Sequence, residues 1–153
     1  MTWCLDALRP SDLEQVLEIE RRSFACPWSR LSFESELQGP GADHFVIRQP
    51  ESGAVAAYIF FRRIADEVHI FRIAVAPAWR RRGMGAQLVD ACLQAAGQGG
   101  ARTVLLEMRP SNTEAMALYR RFGFRMVGSR PGYYTDRRED ALILQKRLKE
   151  EEL

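Results

Sequence analysis

The stretch EVHIFRIAVAPAWRRRGMGAQLVDA, Glu67 to Ala91, constrains the fold of this chain more than any other. Its opening is rich in β-branched and aromatic residues and predicts a strand that Pro77 closes. Met84, Leu88, Val89, Cys92 and Ala96 then fall on one stripe at helical spacing, so a helix is expected from about Gly83 to Ala96. The first amides of that helix have no intrahelical partner and point into the loop, where the helix dipole adds partial positive charge. Gly83 and Gly85 carry no side chain to hold a large anion away from those amides. Arg80, Arg81 and Arg82 can pair with phosphates from the rim. Three readings compete for this place: a nucleic-acid backbone, a nucleotide pyrophosphate, or a solvated helix end.

The other segments set the frame. RPSDLEQVLEIERRSF pairs Ser11 with Glu14 in capping-box spacing, and Leu13, Val16, Leu17 and Ile19 repeat helically, which predicts a first helix. SRLSFESELQG after Pro27 predicts a second, stopped by Gly39 and Pro40. HFVIRQ, AVAAYIFFRR and EVHIFRIAV read as three strands of an antiparallel meander, with turns at PESG and near Asp66. TVLLEM is a nearly continuous apolar strand of the kind buried on both faces. SNTEAMALYRRFGF predicts a helix from about Asn112 to Phe122 with Gly123 as its stop, and Phe124 to Ser129 and Ala141 to Leu148 a closing strand pair. The order β, α, α, β, β, β, α, β, α, β, β, with no linker or repeat, predicts one mixed α/β or α+β sheet domain over residues 1–153.

Composition bears on the choice of anion. The 153 residues carry 22 Lys and Arg against 20 Asp and Glu, a net charge of only +2, which does not support chain-wide attraction to nucleic acid or anionic lipid. A lone arginine cluster without a basic face is a poor nucleic-acid footprint. The longest apolar run, AVAAYIFF from Ala54 to Phe61, falls well short of the roughly 20 residues of a membrane span. The amino terminus carries acids and no basic-then-apolar signal pattern, so a cytoplasmic location is expected. Cys4, Cys26 and Cys92 form no CxxC, and His44 and His69 add no ligand spacing, so neither a disulfide framework nor a metal site is expected. No ATPase-type phosphate loop and no G-x-G-x-x-G after the first strand is present.

IAVAPAWRRRGMGAQLV resembles the acetyl-CoA-binding segment of the GNAT N-acetyltransferase superfamily, in which R/Q-x-x-G-x-G/A opens a helix after the fourth strand. LLEMRPSNTEAMALYRRFGF resembles that superfamily's next strand and helix, and PGYYTDRREDALILQKRL its closing strands. Together they are similar to the RimI-like, ribosomal-protein-alanine branch, and SFACPWSRLSFESEL resembles that branch's acceptor-side segment. The resemblance spans essentially the whole chain. It implies a central mixed, mostly antiparallel sheet of about seven strands with four helices, the fourth and fifth strands splayed, and it makes the anion the pyrophosphate of coenzyme A. Acetyl-CoA would be the co-substrate, bound by Ile73, Ala74, Val75, Arg80, Arg81, Arg82, Gly83, Met84, Gly85, Ala86, Asn112 and Tyr119, with no metal. The implied partner is the N-terminal peptide of a ribosomal protein, with neither nucleic acid nor membrane bound directly.

Acetyl transfer from a thioester to an amine needs a neutral nucleophile, a stabilised oxyanion and a proton for the departing thiolate. The resemblance makes the Val75 N–H the donor to the thioester carbonyl, Glu107 the proton acceptor and Tyr119 the proton donor. On the residues alone, Glu107 is an acid in an apolar strand that needs a partner such as Arg109 or a purpose, and Tyr119, four residues after Ala115, faces inward as a core tyrosine does. Asn112 suits the cap of its helix. Tyr133 and Tyr134 resemble a tyrosine pair in the loop between the closing strands that lines the acceptor groove; read alone they are two turn aromatics. Trp28 belongs to the acceptor-side segment. At pH 7 an α-amine of pKa about 8 is roughly 10% neutral and a lysine amine roughly 0.04%, so an α-amine needs only a modest base. The expected acceptor is the N-terminal alanine of the eighteenth small-subunit ribosomal protein. A lysine or small-molecule amine, and a non-catalytic coenzyme A-binding module, are the alternatives. Arg72 departs from the small polar residue, commonly Asn, that RimI-like chains have before IAV, and Cys26 has no His and Asp for a covalent mechanism.

Overall fold

A computed structural model describes residues 2–39, 42–134 and 139–148. Seven strands form one sheet: β1 (Cys4–Ala7), β2 (Ala42–Gln49), β3 (Ala54–Ile64), β4 (Glu67–Val75), β5 (Thr103–Met108), β6 (Arg125–Tyr134) and β7 (Glu139–Arg147). Four helices cover it: α1 (Leu13–Ser23), α2 (Arg30–Gln38), α3 (Met84–Gln98) and α4 (Thr113–Arg121). The strand order is β1-β2-β3-β4-β5-β7-β6. Every pairing is antiparallel except β4 with β5, which α3 joins as a parallel crossover. The expected fold class, strand and helix numbers and element order are all present.

The two faces of the sheet have separate cores. Leu13, Val16, Leu17 and Ile19 of α1 and Phe33 of α2 pack on Val46, Tyr58, Phe60 and Ala74. Met84, Leu88, Val89, Cys92 and Ala96 of α3 and Tyr119 of α4 pack on Ile47, Ile59, Phe61, Val68, Ile70, Val104 and Leu106. The apolar stripe read for α3 is therefore the buried one. Each buried Val, Leu, Ile, Met or Phe among them contributes about 1.5–3 kcal/mol on leaving water, and the alanines less.

Local details differ from expectation at three places. Ser11 does not cap α1, and no side-chain hydrogen bond does. A 3-10 turn, Pro10–Asp12, precedes the helix, and Asp12 accepts the Arg9 amide at 2.8 Å and the Arg48 guanidinium at 2.6 and 2.8 Å. Asp12 and Arg48 are both buried, and a buried acid with a bidentate arginine outcompetes an exposed hydroxyl for control of the turn. Burial alone would raise the Asp12 pKa, but hydrogen bonds from Arg48 and the Arg9 amide hold it below the usual carboxylate value. Strand β5 is not buried on both faces: Val104, Leu106 and Met108 lie under α3, whereas Thr103, Leu105 and Glu107 are half-exposed on the other side. Strand β6 runs on to Tyr134, so Tyr133 and Tyr134 end a strand instead of lying in a loop, and Tyr134 pairs with Glu139. Ser29 caps α2 by accepting the Ser32 amide at 3.1 Å, and Gly39 follows its last turn; Pro40 lies outside the described residues.

Candidate active site

The β4–β5 ladder begins at Glu67 and Thr103 and ends at Ile70 and Leu106. Beyond it β4 stays on β3, pairing Ile73 with Ile59, Ala74 with Tyr58 and Val75 with Ala57, while β5 stays on β7, pairing Glu107 with Ile143. The strands therefore part, as expected, and the β4 edge past Ile70 keeps backbone groups with no ladder partner on the β5 side. Such groups bind water or a ligand. Ile73 and Val75 lean on the α3 core and Ala74 on the α1 core, so the side chains serve packing and only the backbone is free for chemistry.

The loop after β4 delivers the chain to α3 through two residues with positive φ, Arg81 at 65° and Gly83 at 81°. No side chain caps α3, and a Cβ placed on Gly83 would meet nothing within 4 Å, so the helix mouth is open on that side. A Cβ on Gly85 would instead meet Leu118 Cδ2 of α4 at 3.4 Å; this glycine lets two helices approach. Met84 is buried in the core and Ala86 half-buried, so both offer the site their amides. The arginines are not equivalent. Arg80, also exposed, folds back on the strand end, its Nε donating to the Val75 carbonyl at 2.9 Å and its Nη2 to Ser23 Oγ at 3.2 Å. Arg81 is exposed 3.6 Å from Glu114, and Arg82 lies 5.0 Å over the Trp79 ring.

Asn112 caps α4 as expected, accepting the Ala115 amide at 3.1 Å. Tyr119 is buried on α4, edge-on to Phe124 at 5.4 Å. Burial, then the neighbouring Cys92, pushes its pKa well above the ordinary value, so the hydroxyl stays protonated at every working pH. Glu107 projects from the face of β5 opposite to Leu106, the α1 side, with Arg130 Nε 2.9 Å from its Oε2 in an ion pair that lacks hydrogen-bond alignment. Its expected partner Arg109 is engaged otherwise, 3.6 Å from Glu139 and 4.2 Å over the Tyr134 ring. Tyr133 and Tyr134 meet edge-on at 5.1 Å, and Arg130 reaches over Tyr133 at 5.7 Å. Burial raises the Tyr134 pKa, helped by Tyr133 and Glu107 and opposed by Arg109 and Arg72.

Trp28 packs on Phe33 at 5.1 Å and Phe60 at 6.4 Å. Around it lies a cluster that the sequence reading missed. Glu20, fully buried on α1, accepts from the Tyr58 hydroxyl, from the Trp28 amide at 2.9 Å and from Arg72 Nε at 2.8 Å. A signal existed: Glu20 stands four residues after Val16 and three after Leu17, a charge in register with an apolar stripe. Among the described residues no group of His, Cys, Asp or Glu has the arrangement of a metal site, and no helix is long and apolar enough to cross a membrane.

Comparison with known proteins gives a consistent result. The family model for the Acetyltransferase (GNAT) family matches residues 13–124. The chain is 37% identical over 142 residues to the [ribosomal protein bS18]-alanine N-acetyltransferase of Escherichia coli strain K12, covering 92% of this chain and 94% of that protein. It is 32% identical to the protein of that name from Salmonella typhimurium, with the same coverage. The crystal structure of the ribosomal-protein-S18-alanine N-acetyltransferase from Escherichia coli superimposes with a TM-score of 0.89 at 35% identity, covering 99% of both chains. Arabidopsis thaliana NAA60 in complex with acetyl-CoA shares the fold, with a TM-score of 0.87 at 20% identity over 96% of this chain and 100% of that one.

Proposed function

The chain belongs to the GNAT acetyltransferase family, and from that premise we propose that it transfers acetyl from acetyl-CoA to the α-amine of the N-terminal alanine of the eighteenth small-subunit ribosomal protein, in the cytoplasm where ribosomes are made. That it is an N-acetyltransferase follows from its family and relatives. The acceptor is supported by the two relatives named for bS18-alanine, which cover nine-tenths of the chain.

The carrying observation is the parting of β4 from β5 beside the open mouth of α3. That geometry fits coenzyme A: amides at the helix mouth, open space at Gly83 and exposed Arg81 suit a pyrophosphate, and a cleft with unpaired β4 backbone suits an extended chain ending in a thioester. Acetyl-CoA supplies an activated acyl group. The protein's own groups do the rest. The Val75 N–H, at the end of the parted strand, stabilises negative charge on the acyl oxygen. Glu107 takes a proton from the acceptor ammonium, through a water, from the opposite strand. Tyr119, held neutral by burial, gives its proton as negative charge builds on the leaving sulfur and recovers one from the acceptor nitrogen as the amide forms. Trp28, Tyr133 and Tyr134 line the acceptor's approach. Mixing the protein with acetyl-CoA and a peptide beginning Ala-Arg should release free thiol; no release over a panel of peptides overturns the reading.

A further inference from the structure

Phe24 to Trp28, the connection between α1 and α2, has no ladder and no helix of its own to hold it. Beyond the Phe24 amide, which closes α1 on the Glu20 carbonyl at 3.1 Å, its backbone is held by one ion pair between buried Glu20 and half-buried Arg72. Glu20 accepts the Trp28 amide at 2.9 Å, and Arg72 Nη2 donates to the Cys26 carbonyl at 3.2 Å. The pair is closed by Arg72 Nε and Nη2 at 2.8 and 2.7 Å from Glu20 Oε2, and Tyr58 donates to the other oxygen. The same guanidinium lies 4.0 Å from the Phe24 ring centre and 5.3 Å from that of Trp28. The Trp28 amide, the Cys26 carbonyl and the Phe24 and Trp28 rings thus all meet Arg72 or its counter-ion, while the Trp28 ring also packs on Phe33 and Phe60.

Arg72 is also well placed relative to the chemistry. It stands on β4 opposite Phe60, three residues before Val75, on the sheet face shared with Glu107. We propose that Arg72 is a positioning residue for the acceptor: by stapling Phe24–Trp28 to β4 it fixes the wall against which the incoming amine is aligned toward Glu107. The inference rests on the acetyl-transfer reading for its second half only. A planar, bidentate, ring-stacked arginine does this where a short amide could not, because Asn cannot reach Glu20, Cys26 and two rings at once. Arg80, which joins Ser23 to Val75, anchors the start of the same segment from the same strand end.

Removing Arg72 alone leaves Glu20 buried without a counter-charge and threatens folding, so the informative variant is Arg72→Gln with Glu20→Gln, which removes both charges and keeps hydrogen-bonding groups. Two measurements decide. Amide exchange at Trp28 should quicken by about tenfold or more in the double variant while α3 amides exchange as in the parent. The KM for the Ala-Arg peptide should rise about tenfold with kcat changed much less, and acetyl-CoA affinity by calorimetry should stay within about twofold. Arg72→Lys, which keeps charge but not the fork, should fall between. Unchanged Trp28 exchange overturns the staple. Faster exchange with an unchanged peptide KM overturns the positioning role. A parent that acetylates no peptide overturns the acetyl-transfer reading and the positioning role with it, while exchange at Trp28 still decides the staple.

Discussion

The two sides of the cleft are built from different materials. On the α3 side the features are backbone: the unpaired edge of β4, a positive-φ glycine, the open first turn of a helix and exposed arginines at the rim. On the α1 side they are side chains: a fully buried glutamate, an arginine over two aromatic rings, and Glu107 with Arg130. A backbone site binds what every member of a family must bind, because main-chain groups change little with sequence. A side-chain site can be respecified one residue at a time. On the proposed reading, the contrast puts acetyl-CoA on the backbone side of β4 and the acceptor on the side-chain side.

Perturbations should therefore separate by side, and the largest should come from the chemistry itself. Glu107→Gln should lower kcat by about 10² to 10⁴ with acetyl-CoA affinity nearly intact, and Tyr119→Phe likewise; if both turn over like the parent, the assigned roles are wrong. Next, Glu20→Ala should cost about 1–3 kcal/mol in denaturant unfolding, because it leaves the buried Tyr58 hydroxyl and the half-buried Arg72 guanidinium without their acceptor. A loss below about 1 kcal/mol would mean that the α1 side does not rest on that pair. Gly83→Ala asks the opposite side to carry a Cβ at positive φ, at a cost of about 1–2 kcal/mol. It should weaken acetyl-CoA binding and leave the peptide KM unchanged.

Acid should act selectively on the α1 side. His44 is buried there, its Nδ1 accepting the Phe61 amide at 3.2 Å, and desolvation lowers its pKa below 6.5 although Glu36 and Asp43 oppose the shift and Arg62 adds to it. The unfolded chain thus takes up the proton more readily than the folded one, so His44 favours folding above pH 6.5 and progressively disfavours it as pH falls through 6.5 toward the lowered value. His44→Asn should flatten the pH dependence of unfolding in that window. The smallest effect belongs to Arg81→Ala: stability within about 0.5 kcal/mol and a few-fold, salt-sensitive loss of acetyl-CoA affinity.

The same contrast explains what could be read from the sequence. The α3 side was legible because its determinants are contiguous: Val75 to Ala86 is one stretch, and glycine, helix stripe and arginines announce themselves by spacing. The α1 side was not, because Glu20 and Arg72 are 52 positions apart and meet only once β4 is laid against α1. Glu107 was found as an anomaly, an acid in an apolar strand, but its partner Arg130 sits on a strand two places away in the sheet and was read as Arg109. Ser11 misled because a capping box is a local rule, and the buried Asp12–Arg48 pair overrides it.

The brief β4–β5 ladder has a mechanical meaning. Residues 4–75 supply four strands and residues 103–147 the other three, and within the sheet a ladder of four residue pairs, Glu67–Ile70 with Thr103–Leu106, zips the halves together above the core they share under α3. Acetyl-CoA lodged where the zip stops, as proposed, would bridge both flaps and act as its missing teeth. Saturation at about a hundred times its Kd would add about 2.7 kcal/mol to global stability. In the cell, the enzyme's lifetime would then follow the supply of its own acyl donor.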